Sequence, residues 1–158
     1  MPLVFRSMLP DESGQHPRIA NDANSLGVRI LAETDGEHSD IAVDPDGNVH
    51  PGREGMSVSP SIEQLPLHKI PRFASQFRNE SRRPKGNNKV ICWSAGQGRF
   101  VDAPFTERIF VMTSPRGSEN HGVLSPVAAV SLEQYRADLN ETLPMWQSVE
   151  WPWDGAKE

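Results

Sequence analysis

The 158 residues predict a strand-rich α+β fold with one helix near the C-terminus, and three observations carry the prediction. Twelve glycines and fourteen prolines divide the chain into short pieces, which excludes long-helix bundles and coiled coils. The apolar residues, 36% of the total, fall in short runs bounded by glycine, proline or an Asp-Gly turn, the pattern of brief strands. Only one segment has helical spacing: Leu132, Tyr135, Leu139 and Leu143 share a face, behind a Ser131/Gln134 capping box and ahead of Pro144, which should stop the helix.

The elements are expected in this order. Leu3 to Arg6 is a short strand ended by Pro10. Val28 to Ala32 and Ile41 to Val43 read as strands, the second followed by the tight turn Asp44-Pro45-Asp46-Gly47. Gly55 to Ser59 reads as extended, and Ser59-Pro60 as the cap and first position of a short helix through Leu65. Lys89 to Trp93, Phe100 to Val101 and Ile109 to Met112 are further strands, with Gly96-Gln97-Gly98 as a turn. Beyond the helix, Met145, Trp146, Trp151 and Trp153 form an aromatic tail, read as a strap over the core or as a partner site. Residues 1–158 are expected to form one domain carrying a basic loop at 69–89.

Charge and composition exclude several functions. The formal net charge is −5, yet residues 68–89 carry seven Lys/Arg and one Glu between two acidic flanks. That island reads either as a solvated loop or as a docking surface for an acidic partner. Nucleic-acid binding through it is disfavoured by the acidic total and by the scarcity of interleaved aromatics, Phe73 and Phe77 alone. No apolar run is long enough to span a membrane, and Met1 to Glu12 turns acidic before a leader could form, so a cytoplasmic site of action is expected. The single cysteine, Cys92, cannot form an internal disulfide and reads as a small buried hydrophobe rather than a catalytic thiol.

Common catalytic signatures are missing. Ala95 to Phe100 lacks the lysine and hydroxyl residue of a phosphate-cradling loop, and Gly55 to Pro60 lacks the closing glycine of a nucleophile elbow. The histidines at 16, 38, 50, 68 and 121 have no metal-ligand spacing, so no metal is expected. A constellation remains. Arg6 suits a diphosphate or a carboxylate, or is a strand-end surface charge; Ser57 and Ser59 alternate on one strand face, to position a ribose or to bond their own backbone; His121 relays a proton or is a loop histidine.

Asp46-Gly47-Asn48-Val49-His50-Pro51-Gly52-Arg53-Glu54-Gly55-Met56-Ser57-Val58-Ser59 resembles a segment of the type VI secretion effector-two toxins that runs Asp-Gly, an apolar residue, a proline and then a glycine-led Ser-Val. His121 to Val130 is similar to that family's His-Tyr segment, which passes through a proline into the last helix, and Val4-Phe5-Arg6 and Phe100-Val101 have counterparts there in the same order. The resemblance implies a split β-sandwich like that of ADP-ribosyltransferases, with NAD gripped in a cleft. It implies cofactor-binding roles for Arg6, at the NAD phosphates, and for Ser57 and Ser59, and catalytic roles for His121 and Ser57. It also implies an antibacterial toxin with a cognate immunity protein and a target macromolecule as partners. Met56 and Gly122 depart from the pattern, which has a hydroxyl residue and an aromatic at those places, and residues 69–89 have no counterpart. No Glu-x-Glu or Gln-x-Glu pair occurs, which leaves Glu63 and Glu133 as unranked carboxylate candidates.

Overall fold

The structure, a computed structural model, describes residues 1–34, 39–71, 86–113 and 121–151. Its strands are Val4–Met8 (β1), Asn48–Val49 (β2), Met56–Val58 (β3), Ile91–Ala95 (β4), Ala103–Pro104 (β5), Ile109–Thr113 (β6), Gly122–Pro126 (β7), Val130–Ser131 (β8) and Gln147–Val149 (β9). One α-helix, Leu132–Asn140, lies near the C-terminus among the described residues, and short 3-10 turns cover Leu31–Glu33, Ile62–Gln64, Leu67–Lys69 and Leu143–Met145. The fold is α+β and strand-rich with open sheets, as the sequence predicts.

All strand pairs are antiparallel. One sheet has the order β1-β4-β9, another β3-β7-β6-β5, and β2 pairs with β8. The two larger sheets meet at a single bridge, where Phe5 and Ser59 exchange both amide bonds, each at 2.8 Å. Past that bridge β1 and β3 diverge. The cleft side of the split runs from Arg6 toward Met8 on β1 and from Val58 toward Met56 on β3; on the other side of the bridge Pro60 cannot donate to a ladder, so pairing stops there as well.

Alternation along β1 and β4 covers both faces of their sheet. Val4, Met8, Trp93 and Ala95 enter the main core with Met56, Val58, Val111 and Leu124 of the other sheet and Tyr135 and Leu139 of the helix. Phe5 and Cys92 point the other way, against Ile62, Leu65 and Ile70, with Val149 and Trp151 packed alongside. Cys92 is fully buried and its thiol is pushed up to about 12 by desolvation, so it is inert at neutral pH, in line with the sequence reading. Trp146 is buried beside Phe105 and donates through its indole to Thr142 at 3.0 Å, while Gln147–Val149 adds an edge strand to β4. The tail is therefore a strap; Trp153 lies outside the described residues, as does 72–85 of the basic stretch.

Several expectations need correction. Val28 to Ala32 and Ile41 to Val43 are not strands. Several of their backbone groups are taken by side chains: the Arg29 amide donates to Asp40 Oδ2 at 2.7 Å, the Ala42 amide to Glu54 Oε1 at 2.9 Å, and the Val28 carbonyl accepts from Arg136 at 2.9 Å. Phe100-Val101 is a bend, and the strand falls at Ala103–Pro104 instead, with Asp102 Oδ1 accepting from the Thr113 amide at 2.7 Å. Ser59 caps no helix, because its amide and carbonyl go to Phe5; the chain bends at Pro60 and Ser61 before a 3-10 turn over Ile62–Gln64. The C-terminal helix starts as expected, Ser131 Oγ accepting from the Gln134 amide at 3.0 Å, but ends at Asn140 rather than Leu143. The Thr142 hydroxyl and amide both bond the Leu139 carbonyl there, tightening the last turn three residues before Pro144 can act. The Asp44 to Gly47 turn forms as read, with Gly47 at φ 84° and its amide on the Asp44 carbonyl at 3.0 Å.

Candidate functional site

The split between β1 and β3 opens a small cleft whose lining includes Arg6, Ser7, Ser57, Ser59, Lys69 and His121. All four sequence-predicted site residues are thus brought together, and strand register explains how. Val58 pairs with Gly122 and Ser57 with Val123, so β3 carries the two serines between β1 on one side and the start of β7 on the other. Continued by one residue, that register sets His121 opposite Ser59, which itself bridges to Phe5. Three distant segments converge because β3 is their common neighbour.

Of the two readings offered for Arg6, the structure excludes one. Arg6 is 5% exposed, so it is no surface charge. Its guanidinium donates from Nε to the Ser25 carbonyl at 3.2 Å, from Nη2 to Ser25 at 3.0 Å and Ala23 at 3.3 Å, and from Nη1 to Ser57 at 2.8 Å. An arginine has five N–H donors, and most of these are spent on backbone carbonyls. Arg6 therefore ties the 23–25 loop to β3 across the mouth of the split. Desolvation brings its pKa down to about 10, with Asp40 opposing the shift, so it stays cationic at neutral pH.

Lys69 sits beside it. Its ammonium donates to the Ala23 carbonyl at 3.1 Å, the same oxygen that Arg6 Nη2 reaches. Burial, with Arg6 and then Arg29 as like charges, lowers the Lys69 pKa to about 8. His68 and His121 are held below the ordinary histidine value, first by desolvation and then by the Lys69 charge, so both rings are neutral and proton-accepting at pH 7. No carboxylate lines the cleft among the described residues; Glu63 and Glu133 are both elsewhere, exposed on a 3-10 turn and in the first turn of the helix.

The cleft encloses about 120 Å³. Pockets that enclose drug-sized ligands run to roughly 300–1,000 Å³, so this one seats a phosphoryl group or a sugar edge, and a longer ligand must extend over the surface. A larger hollow of about 590 Å³ lies between Ile30 and Val43; among the described residues its lining is apolar apart from Ser39 and holds no titratable side chain. Among the described residues no cluster of His, Cys, Asp or Glu could hold a metal ion, and no helix is long and apolar enough to cross a membrane.

Sequence reasoning missed Ser7 and Lys69. Ser7 carried no motif, although its place after Arg6 on an alternating strand puts it on the opposite face. Lys69 was counted with the basic loop; the run Leu65-Pro66-Leu67-His68-Lys69-Ile70 was the signal that it belongs to a packed segment. No protein-family model, curated protein or solved structure matches the chain.

Proposed function

We propose that the chain is an antibacterial toxin acting in the cytoplasm of a target cell, with an ADP-ribosyltransferase-like site that takes NAD in the split between β1 and β3. The observation that supports this is the meeting of Arg6, Ser57, Ser59 and His121 in one cleft, residues selected from the sequence by their chemistry and by the resemblance. The cationic lining, with no carboxylate among the described residues, suits the NAD diphosphate, and the two open sheets that part beside Arg6 agree with a split sandwich. Within this reading the Ser57 hydroxyl orients the nicotinamide ribose. The ribose–nicotinamide bond breaks with its electron pair leaving on nicotinamide, and the acceptor attacks the ribose carbon while His121 takes the acceptor's proton. With no carboxylate in the described lining to stabilise the ribose cation, turnover should be slow. A cognate immunity protein would cover the cleft.

Expression in a bacterial cytoplasm is expected to arrest growth, and His121→Ala to relieve the arrest with the melting temperature unchanged. Loss of a positioned proton acceptor lowers the rate by about 10²–10⁴-fold. Growth arrest that persists undiminished in this variant removes His121 from the site.

The apolar hollow between Ile30 and Val43, with Leu31 55% exposed, favours a second reading as a non-catalytic protein-binding module. That reading requires harmless expression and no affinity for NAD.

A further inference from the structure

Two cations, one orphaned hydroxyl and one free strand edge meet at the bottom of the β1/β3 split. Arg6 and Lys69 both donate to the Ala23 carbonyl, so their charged groups lie no further apart than two hydrogen bonds laid end to end. Asp40 and Asp22 offset this repulsion in part from outside the cleft, and with no carboxylate in the described lining an anion between or beside the two cations would stabilise them further. Arg6 has little left to offer, since Nε, Nη1 and Nη2 are engaged by Ser25, Ala23 and Ser57. Lys69 has one such bond, and an ammonium has three donors.

Ser7 provides the second, independent observation. It lines the cleft, is 2% exposed, and its Oγ is buried without a hydrogen-bond partner among the described residues. An unpaired buried hydroxyl costs free energy, and a ligand oxygen that completes it removes that cost. The backbone points the same way. Phe5 spends its amide and carbonyl on Ser59, and in an antiparallel strand the groups facing one edge alternate, so those of Ser7 face the split where β3 has already turned away.

We infer that a phosphoryl oxygen is held in this cleft by Lys69 and Ser7, and that Arg6, which the resemblance implies for that contact, is a positioning residue that keeps the split in shape. The inference deepens the NAD reading by assigning the diphosphate contact, and it rests on that reading only for the identity of the whole ligand; the anion site itself stands on the geometry.

The test is calorimetric titration of the full chain at pH 7 with inorganic pyrophosphate and, separately, with NAD. Lys69→Met is expected to weaken pyrophosphate binding about tenfold or more, Ser7→Ala several-fold, and Lys69→Arg much less, because a charge-assisted hydrogen bond is lost in the first and retained in the last. Lys69→Met removes a half-buried positive charge beside Arg6, so it should leave the melting temperature unchanged or raised, which separates lost binding from lost folding. Pyrophosphate bound in a Lys69-dependent way without NAD binding supports the anion site and overturns the NAD reading. NAD bound equally by the native chain and Lys69→Met overturns the Lys69 assignment and leaves the NAD reading standing. No pyrophosphate binding by the native chain overturns the inference.

A pH profile adds a readout that a structural role would not move. The charged groups facing Lys69 are Arg6 from β1, Arg29, Asp22 and Asp40 from the loops between β1 and β2, its neighbour His68, and His121 ahead of β7. The imidazoles are already neutral at pH 7 and Arg6 releases its proton only near 10, so Lys69, at about 8, is the group that loses charge between pH 7 and 9. Sulfate, whose own charge is fixed over that range, should bind several-fold more weakly at pH 9 than at pH 7, and Lys69→Arg should abolish the difference. A flat profile in the native chain contradicts the assignment.

Discussion

Replacing Arg6 with methionine is expected to destabilise the chain by about 3–5 kcal/mol, a large part of the roughly 5–15 kcal/mol that holds a domain of this kind folded. The side chain is 5% exposed and makes four hydrogen bonds to the carbonyls of Ala23, Ser25 and Ser57. Methionine fills similar volume but leaves those carbonyls facing an apolar stem with no donor, and each orphaned buried acceptor costs on the order of 1–3 kcal/mol. The urea midpoint should fall and the melting temperature drop by about 10 °C, given roughly 2–4 °C per kcal/mol at this chain length. Arg6→Lys should recover only part of the loss, because one ammonium cannot span carbonyls on two segments as the planar guanidinium does. A melting temperature unchanged in Arg6→Met would show that the 23–25 loop is held by something else. Loss of toxicity in an Arg6 variant carries no information about NAD unless its fold is measured alongside.

Gly55→Ala should be about as damaging. Gly55 has φ 150°, a conformation that side-chain-bearing residues rarely adopt, and a Cβ there would meet the Leu124 carbonyl oxygen and the Tyr135 hydroxyl. Those two atoms already bond each other: Tyr135 donates to Leu124 at 2.5 Å and accepts from the Met56 amide at 3.1 Å. The hydroxyl of a helix residue thus pins β3 against β7, and desolvation raises the Tyr135 pKa so that it remains a neutral donor. An extra methyl must push this knot apart, at a cost of about 3 kcal/mol. Tyr135→Phe should cost about 2 kcal/mol by orphaning both backbone groups. The double variant should fall short of the sum, because the phenyl ring removes one of the two clashes. Since the knot sets the β3–β7 register, both single variants should also weaken ligand binding at Ser57 and His121. Additive losses in urea melts would contradict the shared contact.

What could be read from the sequence was what depends on local chemistry. The Asp44 to Gly47 turn, the Ser131 cap, the buried Cys92 and the strands at Val4, Met56, Ile91 and Ile109 all follow from turn residues, caps and short apolar runs. β7 was not legible, although every residue of it is buried, because Gly122-Val123-Leu124-Ser125-Pro126 is framed by two residues that normally mark loops. β9 was hidden in the same way by its polar Gln147-Ser148 start, since its pairing is decided by β4. Conversely, Val28 to Ala32 and Ile41 to Val43 looked like strands because Val28, Ile30, Ile41 and Val43 do pack in or against the core, but side chains of Asp40, Glu54 and the distant Arg136 take backbone groups that a ladder would need. The site was half legible. Residue chemistry and the resemblance singled out Arg6, Ser57, Ser59 and His121, which line one cleft, while the bonding of Arg6 depended on carbonyls of a loop whose path no local pattern fixes, and Lys69 and Ser7 emerged only once β1 and β3 were seen to part.

Titrating the isotopically labelled chain with NAD and following its amide resonances tests the proposed cleft most directly. Binding there should shift Ser7, Ser57, Lys69 and His121 together along one saturation curve, with the residues around Leu31 unmoved. Shifts confined to the Ile30 to Val43 hollow, or none at saturating NAD, would contradict it.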